Sequence, residues 1–111
     1  MYCVYSYSDL KYIVMSQPFI DVEKLDCMTN RLKALSHPDR IGIIELLQKN
    51  EKLSVGEIQA HMNLEQAATS NHLRLLKDQQ ILVSKRAGKN KYYSIKYVVF
   101  TEIINCINRC V

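Results

Sequence analysis

From Asp21 onward apolar residues return at spacings of three and four: Val22, Leu25, Met28, Leu32 and Leu35 trace the stripe of an amphipathic helix. That helix is expected to stop near Ser36-His37-Pro38, because proline disfavours helical geometry in the residue before it. Ser36 followed by Asp39 looks like a capping arrangement, with Pro38 tolerated in the first turn. A second helix over about Pro38 to Gln48 would bury Ile41, Ile44 and Leu47, together with Ile43. The polar run Lys49-Asn50-Glu51-Lys52 reads as a connection. Ser54-Val55-Gly56-Glu57 then fits a capping box, in which the serine and glutamate side chains each satisfy an orphan amide. It opens a short helix that ends near His61. Met62-Asn63-Leu64 makes a turn, and another helix is expected over roughly Glu65 to Gln79. Two short helices joined by about three residues have the spacing of a helix-turn-helix.

After Gln80 the period changes. Ile81 to Arg86 and Lys91 to Ile95 are β-prone runs around Ala87-Gly88-Lys89-Asn90, which predicts a hairpin. From Tyr97 to about Cys110, Val99, Phe100, Ile103, Ile104 and Ile107 predict a last helix with more apolar positions than one buried face uses. The expected fold is mainly α with a small β-hairpin, a winged helix-turn-helix. The surplus apolar face of the last helix, with part of the first, is expected to form a two-fold dimer interface. This domain is assigned to residues 20–111. Residues 1–19, with Tyr2, Tyr5, Tyr7 and Tyr12 and a second methionine at Met15, read as an N-terminal arm.

Composition excludes more than it selects. With 111 residues the chain suits one compact domain, and 48% hydrophobic against 23% charged residues is the balance of a globular protein. No stretch has the length of apolar sequence that a membrane helix needs. The tyrosine-rich start lacks a basic n-region, so no secretory signal and a cytoplasmic location are expected. Charge is more telling by position than by total. Arg74, Lys77, Lys85, Arg86, Lys89, Lys91 and Lys96 crowd between Leu64 and Lys96 against only Glu65 and Asp78, while the rest of the chain is slightly acidic. A positive field confined to a third of a domain is the footprint of a phosphate-binding surface.

On the helix that starts near Glu65, Ala68, His72, Leu75 and Leu76 fall on one side and suit the core. Gln66, Ala67, Ser70, Asn71, Arg74 and Lys77 fall on the other. Small residues there admit the backbone to a major groove, where Asn, Gln and Arg read base edges. Thr69, at the boundary, is a candidate phosphate donor. Lys85, Arg86, Lys89, Asn90 and Lys91 surround the hairpin tip, with no acid between Asp78 and Glu102, as suits a wing that meets the sugar-phosphate backbone. Double-stranded DNA is the implied partner. The competing reading is an interaction module that uses the tyrosine-rich arm and the apolar last helix without DNA. No Ser-His-Asp set, Gly-rich phosphate loop or paired-carboxylate pattern points to an enzyme, and no cofactor is expected.

Three ordered segments resemble the ArsR family of bacterial repressors. They are Leu35-Ser36-His37-Pro38-Asp39-Arg40-Ile41 at the start of the second helix, Leu64 to Leu76 with Ala68-Thr69-Ser70-Asn71-His72-Leu73, and the Gly88 wing ending in Tyr92-Tyr93-Ser94-Ile95. The likeness spans about residues 22–110. It implies a homodimeric winged-helix repressor that releases its operator when an inducer binds or thiols oxidise. The family's metal sites do not carry over. Leu53-Ser54-Val55-Gly56-Glu57 stands where some members have Cys-Val-Cys, and the last helix has no histidine and Glu102 as its sole acid. Glu65 stands where the family often has a serine cap, which weakens that cap. His37, His61 and His72 lie on separate elements without ligand periodicity, so structural roles and no metal are expected. Among the cysteines, Cys106 and Cys110 share a face of the last helix and Cys27 lies on the first, so these three are the candidate redox or soft-metal thiols. The early cysteine of redox-responsive members would align near Glu45, which is not a thiol.

Overall fold

The computed structural model describes residues 21–110, and the expected arm over residues 1–19 lies outside them. Five helices and three strands follow in the order α1 (Val22–Leu35), α2 (Pro38–Lys49), β1 (Leu53–Ser54), α3 (Val55–Met62), α4 (Gln66–Asp78), β2 (Leu82–Ala87), β3 (Asn90–Ile95) and α5 (Val98–Arg109). The chain divides into two units after Asn30, within α1, and the core belongs to the second unit, from Arg31 onward.

Local chemistry accounts for most boundaries. The capping box at Ser54 is present: Glu57 N–H donates to Ser54 Oγ at 3.2 Å and Ser54 N–H donates to Glu57 Oε1 at 3.1 Å. The bond from the Ser54 backbone, then that from the Ser54 side chain, hold the exposed Glu57 carboxyl below its usual value. The cap of α2 is not Ser36 but His37, whose Nδ1 accepts from Asp39 N–H at 3.1 Å. Pro38 has no N–H to offer, so the first amide needing a partner belongs to Asp39. The extended residue before proline is placed to supply that partner. Helix α3 ends at Asn63 in the left-handed region (φ 53°), a conformation asparagine tolerates better than most residues.

Helix α4 begins at Glu65 without a side-chain cap, as the sequence implies, and closes in a Schellman motif. Ile81 N–H donates to Leu76 O and Gln80 N–H to Lys77 O, both at 2.9 Å, with Gln80 at φ 59°. Both Ile81 and Leu76 are fully buried, which supplies the apolar contact usual in that motif and aims the chain into the wing. The hairpin loop is Gly88-Lys89. Gly88 takes φ 63°, the glycine-first arrangement of a two-residue connection.

Sequence pattern did not anticipate β1. Its two residues pair antiparallel with β3, Leu53 to Tyr93 and Ser54 to Tyr92, giving the sheet order β1-β3-β2. Two residues are too few to show alternation, so only the tertiary pairing reveals the strand. The core joins Leu35, Ile43, Ile44, Leu47, Ile58, Leu73, Leu76, Ile81, Leu82, Phe100 and Ile104, with Ile41 half-buried at its margin. The apolar stripe expected on α1 is only partly used: Leu35 is buried, whereas Val22 and Leu32 remain exposed. No helix among the described residues is long and apolar enough to cross a membrane.

Candidate nucleic-acid interface

Helix α4 has two chemically distinct sides. Thr69, His72, Leu73 and Leu76 are buried, with Ala68 and Leu75 half-buried beside them. Gln66, Ala67, Ser70, Asn71, Arg74 and Lys77 are all exposed on the opposite side. Arg74 Nη2 donates to Asn71 Oδ1 at 2.7 Å, one turn back along the helix. That bond holds the guanidinium fork beside the amide, and most of its donors remain free for an outside acceptor.

Thr69 is a correction. It is 0% exposed, and its hydroxyl donates to Glu65 O at 2.9 Å within the helix, so it cannot reach a phosphate. Its position near the helix start made both sides available to it. Packing against the core decided between them. Leu73 is the complementary omission, a fully buried core residue that the sequence-based face assignment left out.

The wing carries its charge on both faces. Lys85 pairs with Tyr92 and Arg86 with Lys91, and antiparallel partners point to the same side of a sheet. Lys85, Arg86, Lys89 and Asn90 are exposed, and Lys91 is half-buried with Nζ 5.6 Å from the Tyr93 ring centroid. Among the described residues none of these cations is ion-paired. Placing Arg86 directly opposite Lys91 destabilises a hairpin. A bound polyanion would offset that repulsion. Lys52, in the polar connection after α2, adds to this surface with Nζ 5.4 Å from the Tyr92 ring centroid.

Two further groups hold α4 against the rest of the unit. At its C-terminal end Gln79 O accepts from Arg31 Nε at 3.0 Å, a cation placed where the helix dipole favours one. Nearer its middle, His72 meets the opening of α2. Arg40 Nε donates to His72 Nδ1 at 3.1 Å, and Asp39 Oδ2 lies 3.7 Å from His72 Nε2 and 4.0 Å from His37 Nδ1. The His37 and His72 ring centroids are 4.7 Å apart. Sequence spacing had left these histidines unrelated. Only the packing of α4 on α2 brings them together. Burial, then the neighbouring His37 and the Arg40 guanidinium, hold the His72 ring below the usual histidine range, with Asp39 opposing them.

At the far side of the unit, Leu32, Leu35 and Ile41 face Ile103, Ile104 and Ile107 of α5 across an apolar groove of about 190 Å³. Val98, Val99 and Ile107 are exposed along α5, and so is Tyr97 just before it. Cys27, Cys106 and Cys110 are exposed thiols, while Cys3 lies outside the described residues.

The chain is similar to known transcriptional regulators in sequence and in fold. Residues 37–84 match the family model described as bacterial regulatory protein, arsR family. The transcriptional repressor SdpR of Bacillus subtilis is 36% identical over 78 residues, covering 70% of this chain and 86% of that protein. The transcriptional activator HlyU of Vibrio cholerae is 30% identical over 78 residues, covering 70% and 71%. Among solved structures, the transcriptional repressor PagR of Bacillus anthracis superposes with a TM-score of 0.74 at 31% identity, over 79% of this chain and all of that one.

Proposed function

The chain belongs to the ArsR family of bacterial regulatory proteins, and from that premise we propose that it is a homodimeric repressor whose α4 and wing read an operator in double-stranded DNA. The observation that carries the reading is the division of α4. Its core side is wholly apolar or internally satisfied, while Gln66, Ser70, Asn71 and Arg74 stand exposed, and the cations of the wing have no ion pair among the described residues. Asn, Gln and Arg at the centre of an exposed helix face supply bidentate partners for adenine and guanine edges. Ala67 keeps the helix close to the groove floor, and Lys77 sits one turn further along for a phosphate. Lys85, Arg86, Lys89, Asn90 and Lys91 supply the sequence-independent contacts. The kinship with named transcriptional regulators favours this reading over an interaction module without DNA.

Repression is the proposed direction, after SdpR and PagR, although HlyU is named an activator. The proposed site of action is the cytoplasm. Release from the operator would follow binding of an inducer or oxidation of the exposed Cys27, Cys106 or Cys110 thiols.

The test is fluorescence anisotropy on a duplex that the protein selects from a randomised pool, against an unselected duplex, at two salt concentrations. Selected DNA should bind more tightly, and both affinities should fall steeply with salt. Lys89→Ala should weaken the two duplexes by a similar factor and reduce the salt slope by about one. No selection and no salt dependence would overturn the reading.

The dimer rests on the exposed Leu32, Val98, Val99 and Ile107, an apolar surface beyond what one subunit's core uses. Ile107 is 43% exposed yet borders the apolar groove. Light scattering should give two chains for the unaltered protein and one for Ile107→Glu, with the helical circular dichroism unchanged. A single chain in both would remove the dimer.

A further inference from the structure

We infer that Arg40 and His72 form a proton-sensitive latch that sets the pose of α4, with the neutral His72 ring acting as a positioning residue for DNA reading. The inference rests on the DNA-binding reading above and deepens it.

Arg40 bridges three elements. Its Nη1 donates to Ala34 O at 3.1 Å near the end of α1, its backbone lies in the first turn of α2, and its Nε donates to His72 Nδ1 on α4. A guanidinium is a donor only, so His72 Nδ1 must present a lone pair. The hydrogen of the neutral ring then sits on Nε2, which faces Asp39 Oδ2. This tautomer also decides against a cation site built from His37, Asp39 and His72, because neither His72 nitrogen keeps a free lone pair for a metal. A proton added to Nδ1 would set one N–H against another and place a second positive charge beside Arg40.

The charged and titratable groups that act on the ring come from the opening of α2: His37, Arg40 and Asp39. Helix α3 and β2, which also pack on α4, bring none to it. His72 is on the buried side of α4, whereas Ser70, Asn71 and Arg74 are exposed, so releasing it tilts or loosens the face that reads DNA without removing any reading group.

The direction of the pH effect follows from the depressed protonation of the docked ring. The latch is fully closed above the ordinary histidine value near 6.5 and opens as the pH falls through the lower value of the docked state. Simple charge predicts the opposite. Any positive charge gained on acidification strengthens attraction to the phosphates. The sign therefore separates a latch from an ordinary electrostatic effect.

The experiment is anisotropy on the selected duplex at pH 7.5 and pH 5.5, at constant salt. Affinity should fall roughly threefold or more at the lower pH. His72→Asn places a non-titrating Oδ1 near the position of Nδ1, where it can accept from Arg40. It should keep most of the affinity at pH 7.5 and lose the acid weakening. If that variant does not fold, imidazole ¹⁵N resonances of the unaltered protein read the same point directly. They should show His72 with hydrogen on Nε2 at pH 7.5, and protonation together with shifts in α4 amides on acidification. An affinity that is constant or rises at pH 5.5, or hydrogen found on Nδ1, would overturn the latch. Failure to select or bind any duplex at pH 7.5 would instead break the DNA-binding reading on which it rests.

Discussion

Leu73→Ala should destabilise the protein by about 2–5 kcal/mol, the range for deleting a leucine side chain from a core that cannot fully collapse around the space. Leu73 is fully buried and belongs to the core cluster with Ile43, Ile58 and Leu76. Domains of this size are stable by only about 5–15 kcal/mol, so the midpoint of thermal unfolding should fall by roughly 10 °C or more. DNA binding should be lost in proportion to the unfolded fraction and return on cooling. Calorimetry checks the expectation. A midpoint unchanged within about 2 °C would mean that α4 is rotated from the orientation described, and the assignment of its exposed face would fall with it.

Arg74→Ala, at the next residue, should do the reverse. The side chain is exposed and its one hydrogen bond among the described residues is to the exposed Asn71, so the thermal midpoint should barely move. Operator affinity should drop by about 1–3 kcal/mol, roughly 5- to 150-fold, with discrimination lost at one base position of each half-site. Arg74→Lys should recover part of the affinity through its charge and none of the discrimination, because an ammonium lacks the planar fork that grips a guanine edge. Equal affinity of Arg74→Ala and unaltered protein for the selected duplex would remove α4 as the reading helix. The pair of variants thus tests one geometric statement: adjacent residues on α4 serve stability and recognition separately because they point about 100° apart around the helix, Leu73 into the core and Arg74 to solvent.

Much of this was legible in the chain. Elements set by local chemistry matched expectation: the capping box at Ser54-Glu57, the turn at Asn63, the weak cap at Glu65 and the Gly88 hairpin. Helical and strand periods also located α1 to α5, β2 and β3 within a residue or two. The exposed candidates on α4 and the wing were legible for the same reason, since charge and small size mark them without reference to a partner. Kinship with a regulator family was likewise carried by short motifs of fixed order.

What escaped the sequence depended on contacts between residues far apart in the chain. Strand β1 exists only because β3 lies beside it. Thr69, read at the boundary, and Leu73, assigned to neither side, both turn inward because the core surrounds more of α4 than the expected stripe, and a threonine that bonds its own helix can be buried without penalty. His37, Asp39, Arg40 and His72 became one network only when α4 docked on the opening of α2. Sequence by itself determined the local elements, the sites of charge and the family, because those follow from nearest neighbours and composition. Tertiary structure alone decided which side of each helix faces inward and which distant polar groups meet. Burial and hydrogen bonding across the core act between surfaces, and a linear pattern specifies a surface only once its partner is in place.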